Sequence, residues 1–176
     1  MRIVLLTGPP GAGKTTVLTA LMNLLERDDA RYAAVEVEAL ALVHPWPDDD
    51  AAFAHLEFVA ASFDTRGYPL LLVSATIEDR EYLRRVLAAL PSDDVLLVRL
   101  EAPPEVLRER LTSREPRDWV GLPRLLEAAD TLATSIAALP GVDLVLSTAV
   151  REPGLVAEAV RDAMRSSGHD PRRPSR

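Results

Sequence analysis

The sequence has no cysteine and, among its 20 basic residues, a single lysine, Lys14. Without cysteine there are no disulfides, no thiolate nucleophile and no cysteine-ligated metal. Aromatic residues are scarce at 5%, and no apolar run approaches the ~20 residues that a membrane-spanning helix needs. The opening MRIVLLTGPPG lacks both the length and the cleavage site of a signal peptide. A cytoplasmic protein without membrane contact is therefore the expectation. Cations are also outnumbered, leaving a net charge of −7. That balance argues against a nucleic-acid partner held by a broad basic surface, because such a surface binds by releasing counterions from clustered phosphates.

The 176 residues that are present, 48% hydrophobic and 27% charged, suit one packed domain and no fibrous or wholly disordered class. Residues 1–165 are expected to form it. The polar tail 166–176 (SSGHDPRRPSR) has too little apolar surface to order itself. Short apolar runs at Arg2–Thr7, Ala33–Glu38, Pro69–Ala75, Val95–Leu100 and Val142–Ser147 read as strands covered on both faces. Between them, helical periodicity appears at about 13–26, 49–66, 79–89, 103–114, 121–138 and 152–166. Alternation of this kind implies a three-layer α/β domain, a parallel sheet with helices on both faces.

One segment carries specific chemistry. Gly8-Pro9-Pro10-Gly11-Ala12-Gly13-Lys14-Thr15 satisfies G-x-x-x-x-G-K-[ST] at every fixed position, with an apolar strand before it and a helix after it. Glycines let backbone N–H groups turn inward around phosphate oxygens, and the helix N-terminus adds partial positive charge. Residues Gly8 to Thr16 are thus expected to hold a nucleoside triphosphate. Lys14 reaches the β- and γ-phosphates as a slim ammonium, and the Thr15 hydroxyl is placed to ligate Mg2+. Arginine fills every other basic position, so the one retained lysine marks a place where a planar fork does not serve.

The third apolar run, Leu70 to Thr76, ends without the carboxylate that motor and transporter ATPases place there. No N-K-x-D motif is present, and no D-x-x-G switch stands at the end of that run. The acids sit instead at the second run, as Glu36-Val37-Glu38. On a strand, residues two apart share a face. Either carboxylate can then face the γ-phosphate to accept a proton or hold Mg2+ water, the positioning that phosphoryl transfer requires. The alternative for each is a structural pairing with arginine.

The loop GPPGAGKTT, these acids, VSATIEDREYLRRVL and VRLEAPPEVLRERLTSRE together resemble the small-molecule kinases related to gluconate kinase, adenylylsulfate kinase and chloramphenicol phosphotransferase, within the nucleoside-monophosphate-kinase-like group. The resemblance implies a P-loop NTPase fold with a five-stranded sheet in the order 2-3-1-4-5. It also implies ATP with Mg2+ as donor, a hydroxyl-bearing small molecule as acceptor, and a short lid. Glu38 is the position that matches the family's acceptor-facing acid, which in the relatives is usually Asp. Lid arginines would clamp phosphate, with Arg110 and Arg114 sharing one helical face and Arg114 neutralising charge. Arg108 reads instead as a solvated partner of Glu105 or Glu109. The adenine would lie near Thr148 to Pro153. Glu36, Glu38, Trp46, Phe53 and Arg80 are the candidate acceptor contacts. Trp46, Phe53 and Phe58 form either an aromatic wall for a ring-bearing acceptor or ordinary core. Two other readings remain open: a nucleotide or nucleoside kinase, and a regulatory nucleotide-binding ATPase module. Nothing in the sequence selects an oligomeric state.

Overall fold

A computed structural model of the chain describes residues 1–42, 44, 49–116 and 118–166. Five strands, β1 (Arg2–Thr7), β2 (Ala33–Glu36), β3 (Leu70–Ala75), β4 (Val95–Glu101) and β5 (Leu144–Ser147), form one sheet in the order β2-β3-β1-β4-β5. All of the pairings are parallel. Six α-helices connect or follow them among the described residues: α1 (Lys14–Arg27), α2 (Asp49–Thr65), α3 (Arg80–Ala88), α4 (Pro104–Arg114), α5 (Leu122–Ala137) and α6 (Pro153–Ser166). The three-layer α/β architecture expected from the alternating pattern is thus present, with the implied strand order.

Period-2 alternation divides the core in two. Ile3 and Leu5 of β1, with Leu71 and Val73 of β3, meet Leu56 and Ala60 of α2, Leu83 and Val86 of α3, and Ile136 of α5. Val4 and Leu6, with Leu70 and Leu72, meet Val17 and Leu21 of α1, Leu107 of α4, and Val156 and Val160 of α6. Strand residues on both faces are removed from water, which is why β1 and β3 are buried at every position and apolar except at Arg2, Thr7 and Ser74. None of the helices among the described residues is long and apolar enough to cross a membrane.

Two strand ends differ from the sequence expectation by two residues. β2 stops at Glu36, the last residue paired with β3, opposite Ser74, and Val37–Ala41 form a 3-10 helix. As an edge strand β2 has a single partner, and once that pairing ends the chain turns to bury Val37 and Ala41. Glu36 and Glu38 therefore do not share one strand face. β5 begins at Leu144 because Asp143 takes over the preceding rung. Its backbone N–H donates to the Leu97 carbonyl (3.0 Å), and its carboxylate accepts from the Leu97 N–H (2.8 Å). Helix α6 runs through Ser166; residues 167–176, where a disordered tail is expected, lie outside the described residues.

Candidate nucleotide and phosphate-transfer site

β1 delivers the chain to Gly8 at the carboxyl edge of the sheet, and α1 starts at Lys14. Two glycines in the intervening loop are dictated by space as well as by backbone. A Cβ on Gly8 (φ +157°) would lie 2.5 Å from the Leu100 carbonyl oxygen, and one on Gly11 (φ +84°) would lie 2.9 Å from that of Leu107. The loop is closed by Ala12 N–H donating to the Pro9 carbonyl (3.0 Å). Lys14 folds back over it, with Nζ donating to the Gly8 carbonyl at 2.9 Å. Burial pushes the Lys14 ammonium below its ordinary pKa, opposed by the negative charges of Glu38 and Glu36 and reinforced by Arg114.

The acids reach this place by separate routes. Glu36, at the end of β2, accepts the Thr15 hydroxyl proton at 2.5 Å. Glu38, in the first turn of the 3-10 helix, accepts from the Thr76 backbone N–H at 2.6 Å. Both still face one cleft of about 320 Å³, together with Lys14, Thr15, Thr76 and Arg114. Of the residues singled out in the sequence, Lys14, Thr15, Glu36, Glu38 and Arg114 are thus brought together. Thr76 was not among them. It contributes a backbone N–H, which leaves no compositional signal. Arg114 reaches into the cleft from the end of α4 and pairs with Glu115, its Nε donating at 2.7 Å.

Arg110 does not join that cleft. Its guanidinium donates to the Gly11 carbonyl (3.2 Å), the Thr148 hydroxyl (2.9 Å) and the Thr148 carbonyl (2.6 Å). The Thr148 hydroxyl in turn donates to the Ala12 carbonyl at 3.0 Å. Arg110 and buried Thr148 thereby tie the phosphate loop to the turn after β5. They line a second cavity, of about 220 Å³, with Thr16, Val17, Arg151 and Pro153, the region where the resemblance places the adenine. Thr148→Val removes the hydroxyl and leaves the Ala12 carbonyl and one Arg110 N–H short of a partner. It is expected to weaken nucleotide binding about fivefold, measured as the ADP dissociation constant by calorimetry.

Arg108 forms a bidentate pair with Asp130 of α5, across two helices and not with Glu105 or Glu109. Trp119 lays its indole against Gly121, where a Cβ would stand 2.4 Å from the ring. The aromatic wall does not assemble from α2. Phe53 is buried in the core, edge-on to Tyr82 with ring centroids 5.0 Å apart, and under the Arg85 guanidinium at 4.2 Å. Phe58 is 77% exposed. Five residues apart on a helix, the two point in directions about 140° apart, so one side chain cannot follow the other. Trp46, like Asp48 and Arg117, lies outside the described residues. Arg80 is exposed in the first turn of α3, and Asp50, in the first turn of α2, pairs with Arg85.

Residues 3–134 match the model of the AAA domain family. No curated protein matches the sequence. Solved structures with the same fold include Mycobacterium tuberculosis APS kinase in complex with AMPPNP and APS, 16% identical over 93% of this chain and 97% of that one, with a TM-score of 0.65. The Deinococcus radiodurans tunicamycin resistance protein is 20% identical over 96% of each chain, with a TM-score of 0.63. A gluconokinase from Sinorhizobium meliloti is 19% identical over 96% of this chain and 98% of its own, with a TM-score of 0.57. With three-quarters of its length inside that family model, the phosphate loop included, the chain belongs to the AAA domain family and shares its P-loop fold with these kinases.

Proposed function

We propose that this protein transfers the γ-phosphoryl group of ATP to a hydroxyl on a small molecule. The observation that carries the reading is the shared cleft. A carboxylate held from behind by a backbone amide, Glu38, faces the same space as Lys14, Thr15 and Arg114. The residues present fit the nucleotide and its metal. At Gly8 and Gly11 a Cβ would meet the Leu100 and Leu107 carbonyls, so the loop packs in a conformation that only glycine allows. Thr15 and Glu36 offer two oxygens 2.5 Å apart, the hard donors Mg2+ takes. Mg2+ bound there would neutralise charge on the β- and γ-phosphates.

The chain's own groups divide the work. Loop amides and Lys14 hold the phosphates, and Thr15 with Glu36 supplies the metal's protein oxygens. Glu38 orients the acceptor hydroxyl and takes its proton as the acceptor oxygen bonds to the γ-phosphorus. The bond from that phosphorus to the β–γ bridging oxygen breaks, and ADP leaves with the electron pair. Arg114, freed from Glu115, balances the equatorial charge. A cytoplasmic protein acting on a small acceptor fits this chemistry, with no nucleic acid or membrane as partner. The fold shared with APS kinase and gluconokinase supports the class of reaction.

The test is ATP consumption with and without candidate acceptors. The purified protein alone is expected to release ADP at a rate raised at least about 100-fold by a true acceptor, the scale that positioning of the second reactant contributes. Hydrolysis of equal speed with no acceptor present would favour the regulatory ATPase reading instead.

A further inference from the structure

A cavity of about 440 Å³ lies beside the phosphate loop and apart from the nucleotide cleft. Pro9 lines it, whereas the next residue, Pro10, lines the cleft. Its floor is the carboxyl ends of β4 and β5, at Glu101 and Ser147, and its wall is α5. The volume falls in the range of about 300–1,000 Å³ usual for small-molecule sites. On α5, Asp130, Ala133, Thr134 and Ala137 recur at three- and four-residue spacing and share one face. The two alanines leave open the space a larger residue would fill.

The polar groups around it are underused. Arg99 donates through Nη1 to the Ala137 carbonyl at 2.7 Å, but its Nη2 reaches Glu101 only at 3.4 Å, and its buried Nε has no partner. The charges cancel nearby: Arg99 stands against Glu101, and Asp130 is matched by Arg108. A carboxylate entering the cavity meets Glu101 and Asp130, and an ammonium meets Arg99. The hydroxyls of Thr134 and Ser147 suit a neutral oxygen.

We propose that this cavity is a second ligand site, for an uncharged small molecule with a compact hydrocarbon body and a carbonyl or hydroxyl oxygen directed at Arg99 and Thr134. The site stands independently of the phosphotransfer reading, since it shares no lining residue with the cleft that holds Glu38.

The experiment titrates isotope-labelled full-length protein with cyclohexanecarboxamide and follows backbone amide shifts. Cyclohexanecarboxylate and cyclohexylamine serve as charged counterparts. Saturable shifts are expected at Ala102, Thr134 and Ser147 with the carboxamide, unaffected by saturating ADP. Binding of either charged probe is expected to be at least about fivefold weaker, the scale of one hydrogen bond or its loss. Ala133→Leu, which fills the cavity, abolishes the shifts. Thr134→Val keeps the shape and weakens binding about fivefold, so it decides the matter if the leucine variant fails to fold. The proposal is overturned by an absence of saturable shifts in folded protein, or by shifts confined to Lys14 and Thr15 and lost on adding ADP. Equal affinity for a charged probe, or binding indifferent to Thr134→Val, overturns it as well.

Discussion

Lys14→Ala is expected to remove the proposed phosphoryl transfer while leaving the fold intact. In the resting protein the ammonium makes one hydrogen bond, to the Gly8 carbonyl at 2.9 Å, so its loss costs about 3 kcal/mol of stability at most. The expected catalytic loss is far larger, because in the proposed reaction the group acts where negative charge develops and water is sparse. Removal of one such preorganised donor slows a reaction about 10²–10³-fold. Burial already lowers the Lys14 pKa, as expected of a partly desolvated ammonium. Lys14→Arg is expected to fail as well, since a planar fork cannot pass between the loop carbonyls and the phosphate oxygens. ADP release in a coupled assay, with circular dichroism and a melting curve on the same samples, checks both variants. Turnover within a few-fold of the parent protein would remove Lys14 from the transfer step.

Glu38→Gln separates binding from chemistry. A glutamine oxygen can still accept from the Thr76 N–H that holds Glu38 at 2.6 Å, so the side chain keeps its place and loses its basicity. Nucleotide affinity is expected to be unchanged, while acceptor phosphorylation falls about 10²–10⁴-fold, the range of a lost general base. Glu36→Gln is the contrasting case. Glu36 is bonded to the Thr15 hydroxyl at 2.5 Å and in the proposed reaction offers an oxygen to Mg2+, so its replacement is expected to raise the Mg2+ concentration needed for half-maximal rate. If Glu38→Gln phosphorylates an acceptor at the parent rate, Glu38 is not the base. If it also loses nucleotide affinity, the carboxylate belongs to the phosphate site.

Much of the fold is legible residue by residue, because its signals are local. Each of the five expected strands is found, displaced by no more than two residues at any end. The apolar runs have to be covered on both faces, and only a parallel sheet between helix layers does that. The two larger shifts, at Glu36 and at Leu144, arise where pairing with a neighbour stops or where a side chain, that of Asp143, replaces a rung. Strand ends depend on partners that no local window contains. The aromatic wall fails for a similar reason: the rotation of α2 about its own axis is set by what Leu56 and Ala60 bury, and that sends Phe53 inward and Phe58 to solvent.

The sequence by itself determined the phosphate loop, the α/β class and the residues expected to hold a triphosphate. Eight consecutive positions and a period of two carry that information, and neither needs a distant neighbour. The tertiary structure decided the rest. It brought Glu36 to Thr15 across 21 positions, Glu38 to Thr76 across 38, and Arg110 to Thr148 across another 38. It also separated Arg110 from Arg114, two residues on one helix that serve different cavities. Hydrogen bonds of two or three ångströms between residues so far apart exist only once the sheet has placed its strands side by side.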